Sequence, residues 1–128
     1  MKKILLTLSA LATFAFADNA AKITQTMAAM EQGMNTIQKG FFYNQKATIL
    51  EGTETVINAN SIFSKVDTQS FTNGSKATQV ISNIHKNIAT DLKVFKKLIN
   101  ANKFADASKQ YGKVVNDCVA CHTVIRKW

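Results

Sequence analysis

Residues 81–99 read "ISNIHKNIATDLKVFKKLI", and within this run Ile81, Ile84, Ile88, Leu92, Phe95 and Ile99 recur at steps of three and four. That spacing gathers six large apolar side chains on one stripe of a 3.6-residue helix and leaves the lysines and asparagines on the other side. A half-buried strand would alternate at every second residue, which this run does not do. The stretch therefore predicts an amphipathic helix ending near Asn102.

Working outward, three more segments carry a helical rhythm. From about Asn19 to Lys39, Ile23, Met27, Met30, Met34 and Ile37 form a stripe, and Gly40 is expected as its C-cap. A second helix is expected from about Asn44 to Phe63, with Ile49, Val56, Ile57, Ala59 and Phe63 on a less regular apolar face. Another begins near Ala105 and carries Tyr111, Val115, Cys118, His122 and Ile125 on or near one face. Between the second helix and the opening stretch, Ser64 to Gly74 holds Asp67, Asn73 and Gly74 among small polar residues and reads as the one long loop. The chain has no proline and only five glycines in 128 residues, so little interrupts these helices. The expected fold is all-α, an antiparallel four-helix bundle with short links.

At the N-terminus, Lys2 and Lys3 precede an apolar run from Ile4 to Phe16, and Ala15-Phe16-Ala17 offers the small residues that a signal peptidase requires. Residues 1–17 are thus expected to be a bacterial export signal and 18–128 the mature domain, in the periplasm. The apolar run is too short to span a bilayer comfortably and turns polar at Asp18 and Asn19, so no membrane anchor is expected after cleavage. About 111 residues remain, enough for one domain.

The stretch "CVACH", Cys118 to His122, contains both cysteines and one of the two histidines. It offers two thiols that can add to the vinyl groups of a haem and an adjacent imidazole to ligate the iron. A structural zinc site needs four ligands, and outside this motif only His85 remains as a Cys or His donor. A thioredoxin-like pair belongs in a βαβ setting that nothing upstream suggests. A disulfide across so short a gap contributes little to a fold and leaves His122 unexplained. Attachment of one haem c through Cys118 and Cys121, with His122 on the iron, is the expectation. On a helix Cys118 stands three residues from Cys121 and four from His122, so all three project from neighbouring positions.

With "CVACHTVIR" at its end, the chain resembles the cytochrome c′ family, the four-helix-bundle class II c-type cytochromes, together with their low-spin relatives. The family carries Cys-x-x-Cys-His late in its last helix, often with a basic residue four positions after the histidine, which here is Arg126. The likeness extends over the mature chain as helix order and length, and its specific part is the C-terminal motif. It implies that the haem sits on the C-terminal helix and that His122 is the proximal ligand. A class I cytochrome would carry a methionine ligand after the motif, and no methionine follows Cys118. Arg126 either tunes the proximal side electrostatically or complements the helix dipole. Lys127 and Trp128 are read as a frayed end.

The position opposite His122 decides the chemistry. In the resembling family it lies early in the first helix, which makes Met27 the first choice for a distal ligand and Met30 the second; one rotated turn would present Ile23 instead. A methionine stripe at helical spacing is also ordinary core. A thioether ligand suits a closed, electron-carrying iron, and an apolar neighbour leaves it open to nitric oxide or carbon monoxide.

Elsewhere, His85 reads as a boundary histidine, and Phe41, Phe42 and Tyr43 as a cluster closing one end of the bundle. The lysines at 93, 96, 97, 103, 109 and 113 form a mostly solvated face. Without residues 1–17, fourteen basic residues face eight acidic ones, a balance of +6 that suits acidic redox partners. No basic stripe with interleaved aromatics points to nucleic acid, and no convergent acid, base or nucleophile points to an enzyme. A homodimer is also among the expected partners.

Overall fold

The computed structural model describes residues 4–69, 71–72 and 74–126, with residues 4–17 given by their backbone alone. The lysines of the expected signal at positions 2 and 3, Asn73, Lys127 and Trp128 lie outside the described residues. Four helices follow in order: α1 (Ile4–Phe42), α2 (Lys46–Phe63), α3 (Ser75–Asn100) and α4 (Phe104–Arg126). They pack as an all-α bundle, and residues 64–74 form the long connection.

The two short connections use the same device. Asn44 and Asn102 stand in the left-handed region at φ 53° and 59°. After α1, the Gln45 N–H donates to the Gly40 carbonyl at 2.8 Å and the Asn44 N–H to that of Phe41 at 3.3 Å. After α3, the Lys103 N–H donates to Leu98 at 2.9 Å and the Asn102 N–H to Ile99 at 3.0 Å. These are Schellman closures, in which a left-handed residue turns the chain back onto carbonyls that the helix leaves without partners.

Gly40 is therefore not the cap that its position suggests, because α1 runs through it to Phe42. A Cβ there would stand 2.6 Å from a side-chain carbon of Ile49, and one on Gly33 would stand 2.6 Å from Val56 Cγ2. Gly52 answers from α2, where a Cβ would lie 2.6 Å from the Gly33 carbonyl. These glycines let α1 and α2 approach backbone to backbone.

Lys46 Nζ reaches the Asn100 carbonyl at 3.0 Å and Asn102 Oδ1 at 2.8 Å, which puts both tight turns at one end of the bundle. At the other end the Asn19 amide donates to the Asp67 carbonyl at 3.1 Å. The C-terminal half of α1 thus lies beside the start of α4, and the two run antiparallel.

All six residues of the α3 stripe are buried, together with Ile37, Ile49, Val56, Phe63, Ala107 and Val114. Burying side chains of this size stabilises by about 1.5–3 kcal/mol each before entropy is counted. Near the turn end Phe41 meets Phe95 at 6.0 Å and Tyr111 at 6.2 Å, both edge to face. Phe42 and Tyr43 do not join them and remain 77% and 67% exposed. Phe41 continues the stripe four residues after Ile37, whereas the next two positions rotate about 100° and 200° away from it.

Candidate functional site at the α1–α4 seam

The inward face of α4 is set by Ala107, Gln110, Val114 and Cys121, all buried, with Tyr111, Cys118 and Ile125 packed beside them. Val115, expected on that face, is instead exposed, since one step along a helix turns a side chain by about 100°. Cys118 is half-buried and Cys121 buried, both as free thiols, and His122 is half-buried on the flank. Burial pushes the Cys118 thiol up, with the Asp117 carboxylate adding to it, and burial followed by Cys118 pushes Cys121 up to about 11. At neutral pH both sulfurs keep their hydrogen, so they are not the reactive thiolates of a redox pair.

A bond between α1 and α4 sets their register. The Tyr111 hydroxyl donates to the Met34 carbonyl at 3.3 Å. Met27 stands seven residues before Met34 and so shares its flank of α1; Cys118 stands seven residues after Tyr111 and shares its flank of α4. Because the helices are antiparallel, these two steps of about 10.5 Å run the same way and bring Met27 level with Cys118. By the same count His122, one turn further, is level with Ile23. Met27 and Ile23 are both half-buried against the core. Met30 is buried to 9% exposure on the central stripe, which turns it away from that flank.

Among the described residues no Cα of α1 comes within 8 Å of one in α4, although α1 approaches α2 and α3 approaches α4 more closely. Phe41 and Tyr111 bridge the seam toward the turn end. Beyond them it is flanked by Met27 and Ile23 on one side and by Cys118 and His122 on the other. Arg126 is exposed in the last turn of α4, where its charge suits the carbonyl end of the helix.

His85 is not at a boundary. It is buried between α2 and α3, where its ring lies 4.5 Å from that of Phe63 and its Nδ1 is 2.6 Å from Asn60 Oδ1. Asn60 in turn donates to the His85 carbonyl at 3.0 Å. The zinc alternative would need His85 as a ligand, and among the described residues no three His, Cys, Asp or Glu side chains gather to hold a metal ion. Also among them, no helix is long and apolar enough to cross a membrane.

Three further residues shape the region. Tyr111 closes the seam, Asn60 holds His85, and Asp117 has one carboxylate oxygen buried with no hydrogen-bond partner among the described residues. Burial, followed by the Asp91 carboxylate, raises the Asp117 pKa. Of these, Tyr111 is placed by the sequence pattern on or near the face of Cys118; Asn60 and Asp117 give no local signal. No protein-family model matches this chain, and comparison with curated proteins and with solved structures gives no match either.

Proposed function

We propose that this chain is a periplasmic monohaem c-type cytochrome that carries single electrons between redox partners. The supporting observation is the seam itself: Cys118 and His122 flank the side of the helix circuit where, among the described residues, the backbones stay apart, with Met27 level with Cys118 across it. Haem c bound there would supply one-electron iron chemistry. Cys118 and Cys121 would hold it, each thiol adding across a vinyl group with sulfur to one carbon and hydrogen to the other. Their retained hydrogens suit an addition that needs no oxidant.

His122 would ligate the iron from the proximal side, and Met27, on the facing flank, is the preferred distal ligand over Met30. Tyr111 would close the seam below and shield it from water. Arg126 would remain at the solvent edge. In this reading residues 1–17 are an export signal removed before the haem is attached. A second reading, a five-coordinate module for nitric oxide or carbon monoxide, draws on the register that sets the apolar Ile23 level with His122.

Absorption spectra of the oxidised and reduced protein, produced in cells that mature c-type cytochromes, test both. The expected result is a low-spin spectrum that Met27→Ala converts to high-spin, with carbon monoxide then binding the ferrous form. Replacing both Cys118 and Cys121 with Ala should abolish haem that survives acid-acetone extraction, and covalent haem in that double variant would refute the assignment. A wild type already high-spin would select the gas-binding reading. A change only with Met30→Ala would mean that the α1 register is one turn off.

A further inference from the structure

Away from the seam, α2, α3 and the residues just after α2, among them Val66 and Thr68, line a groove of about 890 Å³. Among the described residues none of α1 or α4 lines it, so it is separate from the Cys118–His122 region. Ile57, Phe63, Ile81 and Ala89 give it an apolar floor, while Lys86 and Lys93 stand exposed at its rim. Lys96, also on the wall, is already paired with Glu54.

At the floor sits His85, 6% exposed, and its hydrogen bonding assigns its proton. Asn60 uses its amide nitrogen on the His85 carbonyl, so the oxygen facing Nδ1 can only accept, and Nδ1 carries the hydrogen. Burial lowers the pKa of this imidazole from 6.5, which keeps the ring neutral. Nε2 is therefore a bare acceptor, buried without a hydrogen-bond partner among the described residues. A buried acceptor of this kind is costly to leave unmade. Because Nε2 is shielded, an occupant must press into the floor rather than rest on the rim, and it must bring its own hydrogen.

We propose that the α2–α3 groove binds a small aromatic anion bearing a ring hydroxyl. The ring would lie on the apolar floor, the hydroxyl would donate to His85 Nε2, and the anionic group would face Lys86 and Lys93. The site does not depend on the haem reading, since its lining residues among those described belong to α2, α3 and the loop between them.

The test is calorimetric titration of the full-length protein with 6-hydroxynaphthalene-2-sulfonate and with naphthalene-2-sulfonate, which lacks the donor. The hydroxylated probe should bind at least tenfold more tightly to the wild type, and His85→Phe should erase that difference. Lys86→Gln with Lys93→Gln should weaken both probes by several-fold. If His85→Phe does not fold, Ala89→Leu answers instead: it fills the groove without removing the imidazole and should abolish binding of both. Equal affinity of the wild type for the two probes, no binding of either, or full binding to the Ala89→Leu variant would overturn the proposal. None of these outcomes bears on the cysteine and methionine variants at the seam.

Discussion

At the turn end of the bundle two asparagine closures, the Lys46 bridge and the Phe41–Phe95–Tyr111 cluster join all four helices. Toward the loop end the same four helices carry a buried imidazole nitrogen and a buried carboxylate oxygen without partners among the described residues, two buried or half-buried thiols, a wide groove and the part of the α1–α4 seam beyond Tyr111. The contrast separates what holds the fold from what is free to do chemistry. Polar groups left unsatisfied in one half are tolerable because the other half has a well-packed, well-capped core, and such departures from local consistency tend to collect at functional sites.

The largest expected effect tests that division in the core. Phe95 is fully buried between two aromatic partners, so Phe95→Ala should destabilise by about 3–5 kcal/mol, read from urea unfolding midpoints. Phe63 is as well buried but borders the groove, and the hole left by Phe63→Ala can open onto that space instead of remaining a void. Its cost should be smaller. If Phe63→Ala proves the more damaging, the loop half is the structural half and the comparison is reversed.

The sequence made the more regular half of this picture legible. The α3 stripe, the bundle class and the 64–74 loop follow from local periodicity, and all six stripe residues are core. Other features depend on distant partners. His85 looked like a boundary residue because Ile84 and Ile88 define the stripe next to it, whereas its burial is set by Asn60 and Phe63, more than twenty residues away on the least regular helix. Gly33 and Gly52 would read as weak points within helices until α1 and α2 are seen to touch there. The placement of Val115 failed because the motif helix has too few large apolar residues to define its inward face by itself. The level of Met27 with Cys118 depends on a bond, Tyr111 to Met34, that no sequence pattern could supply.

The next effect sharpens the comparison through pH. His85 has a folded pKa lowered by burial below its ordinary 6.5, so the unfolded chain takes up this proton more readily than the folded one. The stability associated with keeping the ring neutral is complete above pH 6.5 and is lost as pH falls below it, with a slope of at most about 1.4 kcal/mol per pH unit for one group. Thermal unfolding between pH 7.5 and pH 5 should show this decline in the wild type and less of it in His85→Gln. Asp117 works in the opposite sense, since its raised pKa makes protonation favour the folded state, with the effect beginning at its ordinary 3.8 and running upward from there. Equal profiles for wild type and His85→Gln would mean that the imidazole ionises in the folded protein as readily as in water, and that the loop half is less dry than its geometry implies.

The smallest effect concerns the surface. If the +6 balance of the chain after residue 17 steers acidic redox partners, electron transfer should slow as ionic strength rises and the Debye length shrinks from about 10 Å at 0.1 M to about 3 Å at 1 M. Lys109 and Lys113 precede the motif on α4 and are exposed. Lys109 is paired with Asp106 at 3.5 Å, a solvent-exposed contact too weak to remove its charge from the field that a partner meets. Replacing either lysine with Gln should lower the second-order rate modestly at low salt and leave it unchanged at high salt. Lys46 is unsuitable as the distant control because its hydrogen bonds hold the two turns together; Lys39, exposed near the turn end, carries the same charge without them. A larger loss with Lys39→Gln than with Lys113→Gln would place the docking face at the turn end, and partner recognition would then belong to the half of the molecule assigned here to stability alone.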